Sequence, residues 1–119
     1  ARRSSKPPAG RRAWMSGVHT LCLVTTPRDH AGRIADAIVT AREAACVNIV
    51  PAVASVYWWE GKIERDEESL LVIKTTQERV ESLRALLDEI HPYDVFELVA
   101  TPIDGGNEAY LRWITASVR

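Results

Sequence analysis

The sequence predicts an α+β fold, a β-α-β-β-α-β split sandwich with a long central hairpin and a short C-terminal helix. Two observations carry this. Apolar residues recur at helical spacing in two separate stretches, around 31–45 and 80–90. Between them, aromatic and β-branched residues run into a Gly-bearing turn at Glu60-Gly61, and a second apolar run leaves it. Both halves of the chain then read as βαβ, the ferredoxin-like arrangement in which two helices cover one face of an antiparallel sheet.

Taken in order, Val18 to Thr25 is an apolar run with β-branched residues, a strand. Thr26-Pro27 supplies a cap and a first-turn proline. Ala31, Ile34, Ala35, Ile38, Ala41 and Ala45 then mark an amphipathic helix over about 28–44. The hairpin occupies about 46–76. If Cys46 to Trp59 is one strand, it spans about 45 Å at roughly 3.3 Å per residue, against about 17–20 Å for a usual strand. Arms of that length outrun the core of one small domain, so the ribbon predicts an oligomer. Val80, Leu83, Leu86, Leu87 and Ile90 form a second helical stripe, stopped by His91-Pro92 because proline disfavours helix before it. Phe96 to Ile103 is a fourth strand. Asp104-Gly105-Gly106 turns the chain, Asn107 caps, and Ala109 to Ala116 forms a terminal helix.

The chain has 119 residues, enough for one domain with its own core. Fifteen Lys and Arg against sixteen Asp and Glu give no electrostatic case for nucleic acid or a membrane surface. The balance conceals an asymmetry. Residues 1–15 hold Arg2, Arg3, Lys6, Arg11 and Arg12 without an acid, leaving residues 16–119 at a formal charge of −6. Residues 1–15 read as a flexible basic tail, with a partner-binding arm as the alternative, and residues 16–119 as the domain. No signal-like or membrane-spanning run is visible. Two cysteines make no disulfide framework, so a reduced cytoplasmic protein is expected.

Site signals each have a plain structural rival. His91 ends the second helix, where it either binds terminal carbonyls or serves as a ligand. Cys46, among Ala44, Ala45 and Val47, is a small buried thiol or a metal ligand, and Cys22 reads as core. Histidines occur only at 19, 30 and 91, and no Cys-x-x-Cys or His-x-x-x-His exists, so a tight metal site would have to converge in space. The acidic run Glu60, Glu64, Asp66, Glu67, Glu68 reads as solvated charge guarding a ribbon end, with weak binding of hard cations as the alternative. Tyr57, Trp58, Trp59 and Trp113 read as subunit-contact residues. No nucleophile–base pair or phosphate-cradling loop appears, and no enzyme is expected.

Ala44-Ala45-Cys46-Val47-Asn48-Ile49-Val50-Pro51, Tyr57-Trp58-Trp59-Glu60-Gly61-Lys62-Ile63, Ile73-Lys74-Thr75-Thr76, His91-Pro92-Tyr93-Asp94 and Gly106-Asn107-x-x-Tyr110-Leu111-x-Trp113 resemble the CutA divalent-cation tolerance proteins. The resemblance covers about residues 18–118. It implies a very stable homotrimer in which long hairpins pair between neighbours, non-enzymatic, tolerant of copper and other divalent ions, with no required cofactor. His91 and Cys46 match the residues suggested as metal ligands. Val24 stands where some members carry a cysteine, with Cys22 two residues earlier. Ile90 stands where some have a second histidine, and Phe96 replaces a frequent proline. These departures weaken the case for a tight copper site. The trimer also resembles that of the PII signalling proteins. That implies an alternative, a small effector in an intersubunit cleft near Cys46 and His91, walled by Trp59, Glu60, Tyr93 and Tyr110.

Overall fold

The computed structural model describes residues 18–118. The expected basic tail, residues 1–15, lies outside the described residues. Strands β1 (His19–Thr26), β2 (Cys46–Trp59), β3 (Lys62–Thr76) and β4 (Val99–Pro102) form one antiparallel sheet in the order β2-β3-β1-β4. Helices α1 (Ala31–Thr40) and α2 (Val80–Ile90) cover one face, each led in by a 3₁₀ turn, and α3 (Glu108–Ser117) follows β4. This is the expected split sandwich.

Strand alternation builds the core. In β1, Cys22 and Val24 point to the helices and pair with Ile73 and Leu71 of β3. Ile34 and Ile38 of α1 and Leu83 and Leu87 of α2 close over them, all fully buried. Burying each such side chain contributes about 1.5–3 kcal/mol. On the other face α3 packs Leu111 and Ile114 against one end of the sheet, where Thr115 Oγ1 lies 2.9 Å from His19 Nε2. Asn107 caps α3 by accepting from the Ala109 N–H at 3.0 Å, as expected.

Three boundaries differ from the sequence reading. Helix α1 stops at Thr40 rather than 44. Arg42 takes a left-handed φ of 62°, so the Arg42 and Glu43 N–H groups bond back to Val39 and Ile38 carbonyls, a Schellman closure without its usual glycine. Thr26 does not cap the following turn; its hydroxyl donates to the Pro27 carbonyl. Strand β4 is four residues rather than eight, because Phe96 and Leu98 turn in against the core instead of joining the ladder.

The hairpin arms hold fourteen and fifteen residues, and the molecule is 53 Å in its longest dimension. Glu60 and Gly61 take φ of 50° and 79° in the two-residue turn between Trp59 and Lys62. Both positive values match the primed turns whose twist suits a hairpin. A bulge interrupts the pairing between Val50 and Val53, and Ser69 Oγ donates to the Pro51 carbonyl there at 2.8 Å. Beyond the bulge the ribbon leaves the core, and Trp58 is 71% exposed, with Val56 and Ile63 also exposed.

Candidate functional site

An open cleft of about 590 Å³ lies between the outer hairpin and the segment that follows α2. Ser55, Tyr57 and Trp59 of β2, Glu68 of β3 and Thr25 of β1 form its floor, with Tyr93, Asp94, Val95 and Glu97 opposite. The register explains the floor. Val53 pairs with Glu68 and Ser55 with Asp66, so alternate residues of both arms share this face. His91-Pro92 ends α2 and sends the chain back across β1, which carries Tyr93 to the cleft.

The cleft is acidic, and three of its four hydroxyls donate to carboxylates. Tyr93 donates to Glu68 Oε2 at 2.8 Å, Tyr57 donates to Asp66, and Thr25 Oγ1 donates to Glu97 Oε1 at 3.4 Å. The bond to Asp66, then burial and the neighbouring carboxylates, push the Tyr57 phenol up to about 12. Burial, and then the Glu68 bond and charge, hold Tyr93 above the ordinary phenol range. Glu68 is 6% exposed. That corrects the reading of the whole acidic run as solvated charge: Glu67 is exposed and pairs with Arg28 at 2.8 Å, whereas Glu68 is folded inward. Among the described residues no cation pairs with it.

His91 sits beside the cleft, 7% exposed. Its Nε2–H donates to the Thr25 carbonyl at 2.8 Å and its Nδ1 accepts the Tyr93 N–H at 3.1 Å. Phe96 stacks on the ring at 5.0 Å and Tyr93 leans on it at 4.9 Å. Burial pushes its pKa down, only partly offset by the Thr25 bond and the Glu68 charge. Both nitrogens are engaged, so in this conformation the ring offers no free lone pair to a metal, and it binds β1 rather than its own helix end. Cys46 lies opposite Lys74, its thiol 3.8 Å from Asn48 Oδ1, which also accepts from Lys74. Lys74 is four positions along β3 from Leu70, the partner of Thr25, roughly 13 Å. One subunit therefore does not bring His91 and Cys46 together. Among the described residues no group of three or more His, Cys, Asp or Glu could hold a metal ion. Cys22 is buried in the core, and burial pushes its thiol up to about 11.

Of the residues expected to wall a cleft between subunits, Trp59 and Tyr93 line this cleft within one chain. Glu60 instead sits in the hairpin turn, and Tyr110 lies on α3, its ring 5.3 Å from that of Trp113. Thr25, Asp94 and Glu97 are candidates that sequence reasoning missed, and Glu68 entered it only as one member of the acidic run.

The model of the CutA1 divalent ion tolerance protein family matches residues 20–117. The chain is 50% identical over 97 residues to the protein CutA 1, chloroplastic, of Oryza sativa subsp. japonica, an alignment covering 81% of this chain and 55% of that protein. The chain thus spans little more than half that relative's length. The crystal structure of CutA1 from Oryza sativa superposes with a TM-score of 0.83 at 44% identity, covering 87% of this chain and 96% of that one. The structure of the periplasmic divalent cation tolerance protein CutA from Archaeoglobus fulgidus gives a TM-score of 0.81 at 35% identity, covering 85% and 99%. A family match across nearly every described residue, with a superposition at a TM-score of 0.83, makes this chain a member of the CutA1 divalent ion tolerance family.

Proposed function

We propose that the chain works as a homotrimeric, non-enzymatic divalent-cation tolerance protein that takes up metal ions weakly or transiently. The observation that carries the assembly is the ribbon. Strand β2 is an outer strand of the sheet for fourteen residues, and its far end exposes Val56 and Trp58 on the side of the ribbon opposite Tyr57 and Trp59. Long apolar edges of this kind are normally covered, and neighbouring copies supply the cover, with Trp113 of α3 at the margin. Weak rather than tight binding is favoured by the engaged nitrogens of His91, the separation of Cys46 from it, and the grouped carboxylates beside them. Copper would use His91 only after displacing the Tyr93 N–H. We place the chain in a reducing, cytoplasm-like compartment on its two free cysteines, although the relatives above are named chloroplastic and periplasmic.

Sedimentation at micromolar concentration tests the assembly. The expected mass is about three times 13.3 kDa, and Trp58→Lys should shift it downward with the far-UV spectrum retained; a monomeric wild type would sink the trimer. For the metal, Cu²⁺ titration of wild type and His91→Gln should give equal, weak binding. Sub-micromolar affinity lost in His91→Gln would instead make the histidine a ligand. A second reading, a small effector held in the cleft, is favoured by Trp59 and Tyr93 facing one cavity of about 590 Å³, within the range of small-molecule sites.

A further inference from the structure

We propose that this cleft selects a small organic cation rich in N–H donors, an alkylammonium or alkylguanidinium ion, with the Glu68 carboxylate as its anchor. The inference rests on the second reading above, that the cleft is a ligand site, and names the ligand class.

Charge gives the first argument. Glu68, Asp94 and Glu97 line the cleft, and no Lys or Arg does. Glu68 is largely withdrawn from water yet forms no ion pair among the described residues. Buried carboxylates are ordinarily matched by a cation, because desolvation disfavours the lone charge. A bound ligand cation would complete the pair.

Hydrogen-bond inventory gives the second, independent argument. The protons of Tyr93, Tyr57 and Thr25 are all committed to carboxylates. What those groups still offer is lone pairs, on three hydroxyl oxygens and on the carboxylates that receive them. The remaining side-chain donors on the lining are Ser55 and Trp59. A phosphate or a carboxylate would meet like charge and few donors; an ammonium or guanidinium meets acceptors throughout. The rings of Tyr57, Trp59 and Tyr93 supply faces that attract cations, best for a planar guanidinium. A bare metal ion is the poorer occupant, since no group of three or more ligating residues converges among the described residues.

The test is calorimetric titration of the full chain in EDTA with n-butylammonium, n-butylguanidinium, tetramethylammonium and inorganic phosphate. The N–H cations should bind about tenfold or more tightly over tetramethylammonium, which has the charge but no donor. Glu68→Gln, which keeps an acceptor for Tyr93, should weaken them about tenfold while its melting temperature without ligand equals or exceeds wild type. Equal binding by Glu68→Gln overturns the anchor. To separate the two levels, a fragment set of mixed charge is read on the Trp59 indole resonance, assigned with Trp59→Phe. Binders that are only neutral or anionic overturn the cation class and leave the cleft a ligand site; no binders at all overturn both.

Discussion

Replacing His91 by alanine separates a structural histidine from a metal ligand. The side chain makes two hydrogen bonds, to the Thr25 carbonyl and from the Tyr93 N–H, each contributing about 1 kcal/mol net. It also stacks with Phe96 and contacts Tyr93, and aromatic pairs contribute about 0.5–1.5 kcal/mol. Some bonding to water replaces what is lost, so His91→Ala should cost about 2–4 kcal/mol. The assay is urea unfolding in EDTA at fixed protein concentration, because an oligomer's stability depends on concentration. With a urea slope of about 1–3 kcal/mol per molar, the midpoint should fall by about 1–3 M. His91→Gln, able to donate to Thr25, should recover part of the loss. A midpoint unchanged within about 0.2 M, together with loss of Cu²⁺-induced stabilisation only, would refute the structural assignment.

The pH response of the same residue has a definite sign. Its folded pKa lies below the ordinary value, so the unfolded chain binds more protons on acidification, and stability present above about pH 6.5 is lost as pH falls toward the folded value. Wild type should therefore lose more stability than His91→Gln between about pH 7.5 and 5.5, as read from unfolding midpoints. A thiol reagent should label Cys46 in the native protein and reach Cys22 only in denaturant, since Cys22 is buried with its pKa raised to about 11; rapid native labelling of both would contradict the core placement. Leu87→Ala, at the fully buried centre of α2, should cost about 2–5 kcal/mol, and Asn107→Ala about 1 kcal/mol through the lost cap. Comparable losses at the two sites would mean the core is misassigned.

Those elements whose cause is local were legible in the sequence. The ends of β2 and the hairpin turn follow from strand-forming residues meeting Glu60-Gly61, and α2 stops where Pro92 demands it. Helix α1 escaped because Arg42, rather than glycine, adopts the left-handed closing position, and its guanidinium is tied to the Ser117 carbonyl at 3.0 Å, 75 residues away. Strand β4 was overdrawn because Phe96 found a stacking partner in His91, which periodicity does not register. The cleft was half visible. Trp59 and Tyr93 stood out as aromatics, while Glu68 looked like any other member of an acidic run. Only the pairing of β3 with its neighbours and the return of segment 93–97 distinguish it from Glu67, one residue away and exposed.

The extra residue at the Val50–Val53 interruption acts as a frame setter for everything beyond it. Before it, even-numbered residues of β2 share a face with even-numbered residues of β3, as in Asn48 opposite Val72; after it, odd-numbered ones do, as in Tyr57 opposite Glu64. Pairing straight through the interruption, with Ala52 retained, would carry the earlier parity into the outer ribbon. Val56 and Trp58 would then turn toward Glu68, while Tyr57 and Trp59 would turn to the opposite side, with the amino acids of the ribbon unchanged. Whether the chain bulges there thus decides which aromatics belong to the cleft and which to the surface meeting a neighbour. Deleting Ala52, by contrast, would close the ladder with Val53 still opposite Glu68 and leave both surfaces where they are.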